Sequence, residues 1–502
     1  MSLVSSPMEK LVTGIPGFDS ISDGGLPKFR TTLVSGTAGS AKTVFACHFL
    51  AQGIAAGQSG VFVTFEESPE EIRRNMRGFG WDIEQWEQDG KWAFVDASPQ
   101  PGENTVVVGE FDLGALLARI EYAIKQVGAQ RLAMDSLGAV FAHFDNAISV
   151  RGELFRIARA IKLMGVTAVM TAERTQEYGE IARFGVEEFV ADNVIILRNA
   201  LEGEKRRRTI EILKFRGHSH QKGEYPFAVM PNEGIVVIPL SAIQLKQKSS
   251  DIRINSGSPE LDRMCGGGFY RDSIILVSGA TGAGKTLMVT SFLAGGAKEG
   301  ERCLLFASEE SREQLVRNAR GWGVDFEKME NDGLLKVYCE YPEASSLEDQ
   351  FIHMKKIITE FRPNRLAVDS LSALERVASP RSFREFVIGI TSFIKHQEVA
   401  GLFTSNTPSL MGGSSVTEAH ISTITDSIIL LRYVEMFGEI RRGVTVLKMR
   451  GSPHEKDIRE FHIDSQGIHI GHPFRNVTGI LSGQPTHMAQ VEVDRMMEMF
   501  KM

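Results

Sequence analysis

With 502 residues, 42% of them hydrophobic, the chain can bury more than one core. A net charge of −7 speaks against a protein whose main task is to coat nucleic acid, and no apolar run approaches the ~18 residues of a membrane helix. Four cysteines, Cys47, Cys265, Cys303 and Cys339, lie far apart without C-x-x-C spacing and no signal peptide is apparent, so they are expected as buried thiols of a cytoplasmic protein.

In chain order, the apolar run "TTLVSG" is expected to be a strand. It leads into Gly36, Thr37, Ala38, Gly39, Ser40, Ala41, Lys42 and Thr43, and a helical apolar pattern follows. These eight residues nearly spell G-x-x-x-x-G-K-[ST]. In that loop, backbone N–H groups at a helix N-terminus converge on phosphate oxygens, the lysine bridges the terminal phosphates and the hydroxyl binds magnesium. Ala41 stands where the second glycine belongs. If that position needs φ > 0, alanine costs about 1 kcal/mol; if it lies at the helix start with φ < 0, the methyl costs little.

The strand-like runs "GVFVTFEE" and "RLAMDS" end in acids, Glu66 and Glu67 in one and Asp135 in the other. "TAVMTAER" and "NVIILRN" add two more strands. Continuous apolar strands between helices indicate an α/β fold, a mainly parallel sheet covered on both faces. A carboxylate ending a strand beside a phosphate loop can orient magnesium, which suits Asp135. Paired carboxylates can polarise an attacking water or hydroxyl, although Glu66 and Glu67 also read as a surface pair opening the next helix. Later come Lys214 and Arg216 in "KFRG". Cations of this kind neutralise charge on a transferred phosphoryl group, often from a neighbouring subunit; a solvated strand edge is the plain alternative. The run Lys205–Arg208 is expected as a solvated or interface face.

After the polar stretch Gln244–Gly257, expected as a linker, the pattern returns. Gly279, Ala280, Thr281, Gly282, Ala283, Gly284, Lys285 and Thr286 complete the phosphate-loop motif. Lys42 and Lys285 are 243 residues apart, as are Glu66 and Glu309; Asp135 and Asp369 are 234 apart, as are Lys214 and Lys448. This is a tandem duplication with a single length change between Glu66 and Asp135. Glu310, Asp369 and Arg450 repeat the remaining acids and base. The expected division is 1–246, 247–485 and a tail 486–502. One contrast separates the copies. "VEEFVADN" faces "HISTITDS", so Glu188 and Phe189 stand opposite Ser422 and Thr423; a Ser-Thr pair alone is commonplace.

The tandem halves, with "FEES", "DSLSAL", "AHISTITD", "VLKMRGS" and "REFHI", resemble the KaiC family of circadian-clock ATPases and autokinases from about residue 10 to 485. The resemblance implies two RecA-like P-loop domains, ATP and Mg2+ as cofactors, and a homohexameric double ring with nucleotide between subunits. Glu66 and Glu67 would activate water in the N-terminal ring, and Glu309 and Glu310 would serve the kinase ring. Thr43, Asp135, Thr286, Glu309 and Asp369 would surround the metal. Lys214, Phe215, Arg216, His218 and His220 would border the first nucleotide from the adjoining subunit, and Arg442, Lys448, Met449 and Arg450 the second. Trp322 would stack on the second adenine. Ser422 and Thr423 would be the phosphoacceptors, with Thr417 a third hydroxyl nearby and Arg376 a receiver of the phosphate.

A KaiB-like partner is implied as well. The tail "GQPTHMAQVEVDRMMEMFKM" departs from the family's partner-binding tail, which speaks against a KaiA-like one. Val491, Val493, Met496, Met497 and Phe500 could instead form an apolar stripe that stacks rings or meets a partner, with packing in its own domain as the plain alternative. The competing class is a RecA-like nucleic-acid-dependent ATPase, since the core fold alone is shared. The acidic balance and the acceptor pair favour the autokinase.

Overall fold

A computed structural model describes residues 9–98, 113–141, 147–182, 185, 187–202, 204–239, 249–407, 421–436, 438–475, 477–481 and 486–487. The chain divides into two compact units, Met1–Ala242 and Ile243–Met502. Among the described residues each unit holds a nine-stranded sheet.

In the first unit the strand order is Gly234–Val237, Glu224–Met230, Lys205–Phe215, Asn193–Glu202, Thr31–Gly36, Thr167–Glu173, Ala129–Asp135, Ser59–Thr64, Trp92–Asp96. Pairing is parallel from Asn193–Glu202 to Trp92–Asp96 and antiparallel across the other edge. The second unit repeats this order around its central strand Ile274–Gly279. The apolar runs are continuous because both faces are covered. Val34 and Phe62 point into one core with Phe45 and Phe49, while Leu33, Val61 and Val63 point into the other with Ile120 and Ile157.

The duplication is less regular than its landmarks imply. Helices Ala147–Leu163 and Pro380–His396 match at 380 − 147 = 233, and strand residues Ala168 and Gly401, which pair with Thr31 and Ile274, also differ by 233. The single length change expected from sequence is therefore joined by two compensating one-residue changes. They fall between Asp135 and Ala147 and between Glu173 and Asp192, in connections where no ladder fixes the length.

Three further expectations change. Arg253–Ile254, read as linker, pairs with Phe269–Tyr270; residues 244–248 lie outside the described ones. Cys47, Cys265 and Cys303 are buried, but Cys339 is exposed because it ends the edge strand Leu335–Cys339. The run Lys205–Arg208 is no single solvated face, since strand alternation turns Arg207 inward. No described helix is long and apolar enough to cross a membrane.

Candidate active sites

Each central strand delivers its phosphate loop at its C-terminal end, and the helix that follows, Lys42–Ala55 or Lys285–Lys298, opens on the motif's lysine. Gly36 and Gly279 begin the loops where the next strand crowds the backbone. A Cβ there would stand 2.7 Å from the Leu197 carbonyl oxygen and 2.8 Å from that of Leu431. The residue before the lysine adopts the left-handed conformation in both: Ala41 has φ 71° and Gly284 φ 107°. The substitution therefore carries the strain of an L-residue at positive φ, about 1 kcal/mol.

The hydroxyl and the strand-end carboxylate meet in both units. Thr43 Oγ1 donates to Asp135 Oδ2 at 2.6 Å, and Thr286 Oγ1 to Asp369 Oδ2 at 2.7 Å. The other oxygen of each aspartate accepts from a threonine of the adjacent strand, Thr171 or Thr404. Burial pushes the Asp135 carboxyl up, and the two threonine hydrogen bonds pull it back. Lys42 Nζ donates to the Thr37 carbonyl at 3.0 Å; Lys285 Nζ donates to those of Gly279 and Ala280, each at 2.9 Å. Burial lowers both lysine pKa values, with nearby carboxylates opposing it. Phosphate oxygens would supply the charge these lysines are held to meet.

The paired acids sit past the strand ends and before the helices. Those helices are capped by other residues, Ser68 with Glu71 and Ser311 with Gln314 in capping boxes. Glu66 to Glu67 and Glu309 to Glu310 are thus outside the helices they were read as opening. Glu66 Oε1 accepts from Ser136 Oγ at 2.7 Å; Glu309 accepts from Ser370 Oγ at 3.4 Å and pairs with Arg376 at 2.9 Å. Asn75 and Asn318 donate to Glu67 and Glu310, at 3.0 and 2.9 Å. Burial, then the strand-end aspartate, raises the pKa of Glu67 and Glu310, while the asparagine hydrogen bonds oppose it.

The late basic residues hold the segment opposite. Lys214 Nζ donates to the carbonyls of Glu188 and Ala191, at 3.0 and 2.8 Å. Lys448 Nζ donates to that of Thr425 at 2.7 Å, and Arg450 Nη2 to that of Thr423 at 2.8 Å. Ile421–Thr423 is a 3-10 turn; Thr423 is exposed, and the Ser422 side chain lies outside the described ones. Phe215 and Met449, expected to border a nucleotide, pack their side chains in the cores of their own units. His218 Nε2 and His220 Nδ1 are buried without a partner. Arg442 lies over the Tyr433 ring, whose hydroxyl donates to the Thr281 carbonyl of the unit's own loop. Trp322 is half-buried at the end of helix Arg312–Gly321. Thr417 and the tail residues Val491, Val493, Met496, Met497 and Phe500 lie outside the described residues.

Sequence reading missed Thr171, Thr404, Ser136, Ser370, Asn75 and Asn318, and also Glu177, which accepts from Thr37 Oγ1 (2.6 Å) and the Asn199 N–H (2.9 Å). Ser136 and Ser370 share the 234-residue offset and Asn75 and Asn318 the 243-residue one, so the repeat could have found them. Thr171 and Thr404 are 233 apart and escape it.

Fold and loops together define a protein with two tandem RecA-like, nucleotide-binding ATPase units. Comparison with known proteins narrows the class. The family model described as "ATPase: KaiC" matches residues 11–242 and 254–474, and the chain belongs to that family. It is 69% identical over 493 residues to "Circadian clock protein KaiC3" of Synechocystis sp., covering 98% of each chain. It is 55% identical over 486 residues to "Circadian clock oscillator protein KaiC" of Thermosynechococcus vestitus, covering 97% of this chain and 93% of that one. A second Synechocystis protein, "Circadian clock oscillator protein KaiC 1", is 54% identical over 483 residues.

Proposed function

We propose that this chain is an ATPase and Ser/Thr autokinase of a cytoplasmic timer. Residues 1–246 hydrolyse ATP, and residues 247–485 phosphorylate Ser422 and Thr423 in a homohexamer whose nucleotides lie at subunit boundaries. The observation that carries it is the grip of Lys448 and Arg450 on the carbonyls of Thr425 and Thr423. It makes the acceptor segment and the cations one unit, able to face an ATP held by the next subunit. Thr286 and Asp369 in the second unit, and Thr43 and Asp135 in the first, would hold a magnesium ion, which would supply charge neutralisation for the phosphates.

Lys285 holds the terminal phosphates. Glu309, with Glu310 beside it, takes the proton from the Thr423 or Ser422 hydroxyl, a poor nucleophile without a base. Lys448 and Arg450 neutralise charge on the transferred group, and Arg376 receives the new phosphate, of about −1.5 to −2 charge. In the first unit Glu66 and Glu67 orient water instead, because Glu188 and Phe189 offer no hydroxyl. The names of the relatives support a clock role; a KaiB-like partner is proposed from the family resemblance alone, and the tail argues against a KaiA-like one. A nucleic-acid-dependent activity is not favoured in this family.

The test is phosphopeptide mapping after incubation with ATP and magnesium. Phosphate should appear on Ser422 and Thr423 and vanish in Ser422→Ala/Thr423→Ala. Undiminished labelling of that variant would reject the assignment.

A further inference from the structure

An ionic cluster that the proposed chemistry does not use recurs in both units. In the second, the Asp426 N–H donates to the Ile274 carbonyl at 2.8 Å, and the Asp426 carboxylate accepts the Ile274 N–H at 2.9 Å. Ile274 is the first residue of the strand that feeds the phosphate loop. The same carboxylate meets Lys395 Nζ at 2.7 Å and Arg450 Nη1 at 3.4 Å, and the Asp426 carbonyl accepts the Arg450 N–H at 2.9 Å.

In the first unit Asp192 exchanges the same two hydrogen bonds with Thr31, at 3.1 and 3.4 Å. It meets Lys162 at 2.8 Å and Arg216 at 3.5 Å, and its carbonyl accepts the Arg216 N–H at 3.2 Å. Arg30 joins it at 3.1 Å, where the second unit has Ser273. Lys162 and Lys395 are equivalent once the 233-residue offset of their helices is allowed for. The aspartate side chains are 0% and 15% exposed, whereas both arginine side chains are 54% exposed.

Burying a carboxylate is costly, and a plain structural staple would need only one cation. Here two units that have diverged elsewhere keep a lysine, an aspartate and an outward arginine gathered at the first residue of the strand that leads to the loop. We propose that Asp192 and Asp426 are positioning residues that tie the arginine serving the next subunit's nucleoside triphosphate to the strand carrying the subunit's own phosphate loop. A shift of that strand on nucleotide exchange then moves the arginine, and each site is coupled to its neighbour through one side chain. This rests on the role across the boundary given above to Arg216 and Arg450.

The test uses the full chain with ATP and magnesium. Asp426→Asn keeps an acceptor for the Ile274 N–H and removes the charge. It is expected to lower kcat for phosphorylation of Thr423 about tenfold while the KM for ATP moves less than about twofold, because the subunit's own loop is intact. Lys395→Gln, which leaves the bond to Ile274 in place, should lower kcat about threefold and serves if Asp426→Asn fails to assemble. Arg450→Ala should lose at least as much as Asp426→Asn, and adding Asp426→Asn to it should cost nothing more. A defective Arg450→Ala beside a normal Asp426→Asn, or losses that multiply in the double variant, would overturn the positioning role alone. A fully active Arg450→Ala would overturn the boundary role of the arginine and this inference with it.

Discussion

The two phosphate loops carry the same lysine and threonine on the same strand-to-helix turn and share their carboxylate contacts, yet their surroundings differ at a few positions. The first accepts an alanine at φ 71° and lays Glu177 across Thr37 and the Asn199 N–H. The second keeps glycine and is braced from the sheet by Tyr433 on the Thr281 carbonyl. Glu66 has a serine partner, while Glu309 has a serine and Arg376; Ala142 stands at the matching offset in the first unit. The machinery that holds phosphates has been kept twice. What differs is the segment at 188–189 and 422–423, an acid and an apolar ring in the first unit and two hydroxyls in the second.

The comparison breaks most visibly at the lysines. Lys285→Ala should weaken nucleotide binding in the second unit about 100-fold, roughly 3 kcal/mol, and leave the first unit loaded. Lys42→Ala should do the reverse. Equilibrium binding at ATP well above the intact site's Kd and well below that of the weakened site would then show half the bound nucleotide in each variant. Loss of both sites from one change would mean the units do not bind independently.

A next effect separates the units by pH. Burial lowers the His48 pKa from 6.5 to about 4, so the folded first unit favours the neutral ring, which accepts the Ile235 N–H at 3.1 Å. With the folded value below the unfolded one, the contribution is complete above pH 6.5 and is lost as pH falls toward 4. It amounts to on the order of 3 kcal/mol. The second unit has Ser291 at that position. Denaturation followed by fluorescence of Trp81, Trp86 and Trp92 should show this acid sensitivity, and His48→Gln should flatten it. An equal slope in the Trp322 signal would contradict the assignment.

The smallest effect concerns Ala41. Ala41→Gly should stabilise the first unit by about 1 kcal/mol by relieving positive φ. Gly284→Ala should cost more, since φ 107° is further from the left-handed minimum and the new Cβ would stand 3.2 Å from Ile463 Cδ1. Thermal midpoints with saturating nucleotide would measure both. A lowered midpoint for Ala41→Gly would refute the strain argument.

Much of this was legible in the sequence because it is carried by short-range signals. Apolar runs of strand length, a phosphate-loop spacing and a repeat offset placed the sheets, the loops and the acids. What escaped were properties set by tertiary contact. The sign of φ at Ala41 follows from how the loop closes. Thr171, Thr404, Lys162 and Lys395 were hidden by a one-residue slip in the offset. Asp192 and Asp426 served in alignment as landmarks, and only the fold shows each meeting a lysine, an arginine and the first residue of the central strand.

The central claim is that one duplicated machinery does two jobs, hydrolysis in the first unit and autophosphorylation in the second. Site-resolved phosphopeptide mass spectrometry on Glu66→Gln/Glu67→Gln and Glu309→Gln/Glu310→Gln tests it most directly. The first variant is predicted to keep phosphate on Ser422 and Thr423, and the second to lose it at least about 100-fold. Phosphate persisting in the second variant, or vanishing in the first, would contradict the account.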